Sequence, residues 1–169
     1  NKKTICIYGK IDYFENEKIR LKDKQKLVGT EYFTGFSGAK ERFSQLNMTA
    51  TLSSASKATT EISDIDFNFV SAGAFIRNNG NMSINNISMK GNTLGEVHTA
   101  AILNFGDNLT LNGKIDIDIL SSKDCVAYGI YNYLYNLIVN EKTELNIKCK
   151  DIYSNRVNIG IINYGTANI

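Results

Sequence analysis

Alternating carboxylates, one histidine and a run of tyrosines are the side chains of this sequence with chemistry to offer. Asp64-Ile65-Asp66 and Asp116-Ile117-Asp118 each put two carboxylates on one face of an extended strand. Stacked beside Lys90, Lys114 and Lys148, the carboxylates of Asp66, Asp116 and Asp118 are the raw material for calcium binding and for proton abstraction by a basic residue. Interleaved lysines and aspartates more commonly neutralise one another on a solvated face. The expectation is therefore no catalytic residue, no metal and no cofactor. His98, in Glu96-Val97-His98-Thr99, has no nucleophile motif beside it and reads as a solvated turn residue.

The aromatics point elsewhere. Tyr131, Tyr133 and Tyr135 alternate with Ile130, Asn132 and Leu134. If Ile130 and Asn132 face inward, the tyrosines form an outward row, which Phe75, Leu103, Phe105, Ile162 and Tyr164 would continue on neighbouring strands. A row of exposed rings is an interaction surface. A competing site is the Phe-rich stretch 31–44, with Phe33 and Phe36, which reads as a loop protruding from a rigid scaffold.

What must position these residues is a repeat. Asn81-Met82-Ser83-Ile84-Asn85 recurs as Asn108-Leu109-Thr110-Leu111-Asn112 and as Asn136-Leu137-Ile138-Val139-Asn140, at steps of 108 − 81 = 27 and 136 − 108 = 28 residues. Ahead of each copy runs a second echo ending in Asn78, Asn104, Asn132 and finally Asn163. A fixed period of this length marks a solenoid. Apolar residues alternate within each copy, and a second alternating run follows, as in Ile115, Ile117 and Ile119. Each repeat thus holds about three short strands with no room for a helical crossover. Strands can still pair in parallel if each coil lays its strands on the coil below, which predicts an all-β, right-handed parallel β-helix of about six coils.

The asparagines fit that stacking. Asn78, Asn104, Asn132 and Asn163 form one column, Asn81, Asn108 and Asn136 a second, and Asn85, Asn112 and Asn140 a third. Amides in register donate and accept along such a column. Proline is absent, as expected where almost every backbone N–H joins a ladder.

Composition bounds the rest. The chain has 169 residues, 43% hydrophobic and 21% charged, with net charge +2. It carries no basic stripe for nucleic acid and no run of apolar residues long enough to insert into a membrane. One domain, 1–169, is expected, with opening coils at 1–30, the loop at 31–44 and regular coils at 45–169. Glu61 to Val70 reads as one strand, with Ile65, Phe67 and Phe69 inward and Asp64, Asp66 and Asn68 outward. Gly29 is placed at a corner that needs its backbone freedom. Cys6, Cys125 and Cys149 have no metal-ligand spacing; Cys149 packs as a small hydrophobe, and a Cys125–Cys149 bridge between coils is geometrically open.

The opening, through Lys18-Ile19-Arg20-Leu21 and Lys24-Gln25-Lys26-Leu27-Val28-Gly29, resembles the first coils of right-handed β-helix proteins, both bacterial surface passengers and pectate-lyase-like folds. Ala100-Ala101-Ile102, Tyr128-Gly129-Ile130 and Ile159-Gly160-Ile161 resemble the Gly-(Gly/Ala)-Ala-Ile pattern of polymorphic-membrane-protein and autotransporter passengers, over about 100 residues. That resemblance implies a segment of a longer bacterial cell-surface or secreted adhesin or virulence factor. It also implies a partner that is a protein or glycan on a host or neighbouring cell. The lyase likeness lacks the proline-bracketed arginine of those enzymes, leaving a polysaccharide-active enzyme or a structural stalk as alternatives.

Overall fold

The computed structural model describes residues 3–14, 18–30, 44–70, 74–93, 99–121, 126–151 and 158–169. Phe33, Phe36, His98 and Cys125 lie outside the described residues. The described residues form strands and no helix, and every strand pairing is parallel.

The strands stack in three rows. The first row holds β1 (Lys3–Ile7), β4 (Gln25–Gly29), β7 (Thr59–Ser63), β10 (Asn81–Asn92), β12 (Asn108–Ser121), β14 (Asn136–Val139) and β17 (Thr166–Asn168). The second holds β2 (Lys10–Tyr13), β5 (Gln45–Met48), β8 (Asp66–Val70), the later halves of β10 and β12, and β15 (Glu144–Asp151). The third is a separate sheet of β3 (Ile19–Leu21), β6 (Leu52–Ser54), β9 (Ala74–Asn78), β11 (Thr99–Asn104), β13 (Ala127–Asn132) and β16 (Ile159–Asn163). The chain visits the three rows in turn, an arrangement consistent with a parallel β-helix. Pairing of Asn81 with Asn108, and of Asn108 with Asn136, reproduces the sequence repeat.

Alternation in each row fills one core. Leu27, Ile62, Ile84, Leu111 and Val139 form one inward column, and Leu46, Phe67, Met89, Ile117 and Ile147 a second. Leu52, Ile76, Ile102, Ile130 and Ile161 form the third. The middle members are buried, while Ile161 in the last rung is 37% exposed.

Corners break the alternation, and that corrects three expectations. Glu61 to Val70 is two strands, and Asp64 between them is buried with a left-handed backbone (φ 58°). Asn86 (φ 47°) and Gly113 (φ 64°) repeat that bend at the junctions inside β10 and β12. A Cβ on Gly113 would sit 2.0 Å from Asn86 Oδ1. Gly29, by contrast, is required for space: a Cβ there would meet the Asp64 carbonyl oxygen at 1.8 Å. Phe75 is fully buried instead of outward. It and Ile76 both turn inward at the entry of β9, and its ring stacks on Phe69 (4.9 Å, 7°) over the space that Gly91 leaves open.

Candidate functional site: the outer face of the third row

From β9 onward each third-row strand points an apolar residue and an asparagine inward, with Leu52 and Ser54 in their places on β6 and Ile19 and Leu21 on β3, so the residue between them must point out. Register carries that outward position through Arg20, Ser53, Arg77, Leu103, Tyr131 and Ile162. Beneath them the asparagines are fully buried at Asn78, Asn104 and Asn132. Asn78 Nδ2 donates to Asn104 Oδ1 (2.7 Å), Asn104 Nδ2 to Asn132 Oδ1 (2.6 Å) and Asn132 Nδ2 to Asn163 Oδ1 (2.5 Å). The amide oxygens also accept from the Gly80, Gly106 and Gly165 N–H groups, which fixes the turn leaving each strand. The two other asparagine columns run along the first row. Asn108 donates to Asn81 (2.6 Å), Asn136 to Asn108 (3.0 Å) and Asn112 to Asn85 (2.5 Å), with Asn140 bonded to Asn112. All three columns are structural, and they hold the register of the face.

On that face the rings gather around Tyr131. Its centroid lies 6.4 Å from Tyr133, 5.8 Å from Tyr164 and 5.5 Å from Tyr128, and Phe105 sits 5.2 Å from Tyr133 at 51°. The Tyr131 hydroxyl is held above the usual phenol range, first by partial desolvation and then by the phenols of Tyr164, Tyr128 and Tyr133. It therefore remains a neutral hydrogen-bonding group through the physiological range. Tyr135 is exposed. Left-handed Leu134 (φ 62°) breaks the strict alternation between Tyr133 and Tyr135.

An open groove of about 1190 Å³ lies along this face. Aromatic and apolar side chains (Leu103, Phe105, Tyr128, Tyr131, Tyr133) line one end, and Lys18, Arg20 and Arg77 the other. No carboxylate is among its described lining residues. Arg77 is pinned, with its guanidinium 4.9 Å from the Phe105 ring centre and Nε donating to Asn79 Oδ1 (2.9 Å). The sequence reading missed Arg20, Arg77 and Tyr128. The signal for Arg77 was present, since it precedes Asn78 as Tyr131 precedes Asn132.

The second-row outer face holds Asp66, Asp116 and Asp118, and a smaller groove of about 470 Å³ lies beside Asp116 and Asp118. Asp118 pairs in register with Lys90 and Lys148, and Asp116 accepts from Asn146 Nδ2 (2.9 Å) with Lys114 Nζ at 3.6 Å. Among the described residues no three His, Cys, Asp or Glu side chains are grouped to hold a metal ion. Cys149 packs against the core, where burial pushes its thiol up to about 11 and the Asp118 carboxylate adds to the shift.

Comparison with family models, with curated proteins and with solved structures finds no match. The reading of function rests on this face.

Proposed function

We propose that the chain is a non-enzymatic binding module of a bacterial surface-exposed or secreted protein, built as a right-handed parallel β-helix of about six coils. The ligand is a protein or glycan on a host or neighbouring cell. The observation that carries this reading is the clustering of Tyr131, Tyr133, Tyr164 and Phe105 on one outward face over a buried asparagine ladder. Rigid rings on a rigid support offer contact area at little entropic cost, and a phenol adds a polar tip to the ring. The resemblance of Ala100-Ala101-Ile102 and Tyr128-Gly129-Ile130 to passenger repeats supports the surface setting. On the second-row face the Asp116 carboxylate is already partnered by Lys114 and Asn146, as in a neutralised solvated surface. The test is retention of purified protein on arrays of glycans and on intact host cells. Tyr131→Ala combined with Tyr133→Ala should lower retention at least about tenfold, the loss of roughly 1.4 kcal/mol of binding. Undiminished retention by a folded double variant would contradict the proposal.

A further inference from the structure

We infer that the groove on the third-row face takes an anionic linear glycan, its carboxylate or sulfate groups on Arg20 and Arg77 and its sugar rings on the tyrosines. The inference rests on the binding reading above and names its ligand class. Three observations select it. The cations Lys18, Arg20 and Arg77 line one end of the groove, none makes an ion pair with a described residue, and no described lining residue is acidic. Arg20 and Arg77 share one outward column two rungs apart, roughly 10 Å at the spacing of paired strands. A periodic anion along an extended chain matches such a spacing, and guanidinium groups hold carboxylate and sulfate oxygens in fork geometry. Further along the same column stand Tyr131 and its neighbour Tyr133, with rings inclined by only 21°, faces on which the C–H surfaces of sugars can lie.

An acidic peptide would satisfy the cations equally. Peptides that dock on sheets, however, add a strand to a free edge; of the described strands beneath this groove only β3, which carries Arg20, has such an edge, and β6 to β13, under Arg77 and the tyrosines, are paired on both sides. Over Arg77 and the tyrosines recognition comes from side chains, which favours the glycan.

The experiment measures binding of the whole chain, by calorimetry, to a heparin-derived hexasaccharide, a hyaluronan hexasaccharide, neutral maltohexaose and poly-glutamate. The expected result is binding of one or both anionic oligosaccharides, with the pair separating sulfate from carboxylate recognition, and no binding of maltohexaose. Arg20→Gln with Arg77→Gln should weaken that binding at least about tenfold and flatten its salt dependence, whereas Lys148→Gln on the second-row face should leave it unchanged. The melting temperature, read on the same samples, establishes that the variants are folded. Maltohexaose binding that survives the arginine changes but not the tyrosine changes would overturn the anionic ligand and leave the binding reading standing. Poly-glutamate binding as tight as the glycans, indifferent to Tyr131→Ala with Tyr133→Ala, would overturn it in favour of an acidic polypeptide. No binding of either anionic oligosaccharide would overturn it outright, and the cell and array assay then decides the broader reading independently.

Discussion

Strand β13 carries two different jobs on its two sides. Inward, Ile130 and Asn132 are fully buried, one stacked between Ile102 and Ile161, the other bonded to asparagines before and after it. Outward, half-buried Tyr131 and, just past the end of the strand, exposed Tyr133 touch other rings and the open groove. Residues one position apart thus differ in whether their loss is felt as stability or as binding. Period-two geometry makes the separation possible, because a change on one side need not disturb the other.

The largest effect is expected on the inner side. Ile130→Asp buries an unpaired charge in a column of isoleucines and should cost about 4 kcal/mol or more, unfolding neighbouring rungs. A cooperative melt close to wild type would overturn the assigned register. Asn104→Ala comes next. It removes an amide that donates to Asn132 and accepts from Asn78 and from the Gly106 N–H, stranding buried polar groups at about 2 kcal/mol. The exposed counterpart Asn136→Ala breaks an equivalent bond to Asn108 in solvent and should shift stability by less than about 0.5 kcal/mol. Equal losses in denaturant melts of Asn104→Ala and Asn136→Ala would erase the distinction between the sides.

The smallest effect near neutral pH concerns the thiols. Cys149 faces the core from β15, whereas Cys6 is exposed. At mildly alkaline pH iodoacetamide should modify Cys6 first, as peptide mapping would show, because the thiolate is the reactive form and burial suppresses it at Cys149. The linkage has a definite sign. The folded state holds the Cys149 proton up to about 11, above the ordinary thiol value of 9.0, so stability is level below pH 9 and falls as pH rises between those values. Preferential alkylation of Cys149 in the folded protein would place that side chain outside the core.

Much of the architecture was legible because the fold repeats. Asparagines at matched positions announced the columns, and alternation put Ile84, Leu111 and Val139 in one inward row before any coordinates. Corners were less legible. Asp64 looks like an outward residue of a continuous strand, yet a left-handed bend buries it beside the Ser63 hydroxyl. Phe75 fails because a missing side chain at Gly91, 91 − 75 = 16 residues further along the chain, makes room for its ring. Such dependences link residues distant in sequence, and a local pattern does not contain them. Arg20 and Arg77 share an outward position with Tyr131 that strand register reveals and residue type does not, because their residue types differ from the tyrosine's.

The most direct measurement reads both sides of β13 in one sample. Tyr131→Ala with Tyr133→Ala would be melted in the presence and absence of the heparin-derived hexasaccharide and titrated with it by calorimetry. The separation of roles predicts a melting curve close to wild type without ligand, loss of the ligand-induced rise in melting temperature, and binding weakened at least about tenfold. An unfolded or strongly destabilised variant, or a stable one that binds like wild type, would contradict it.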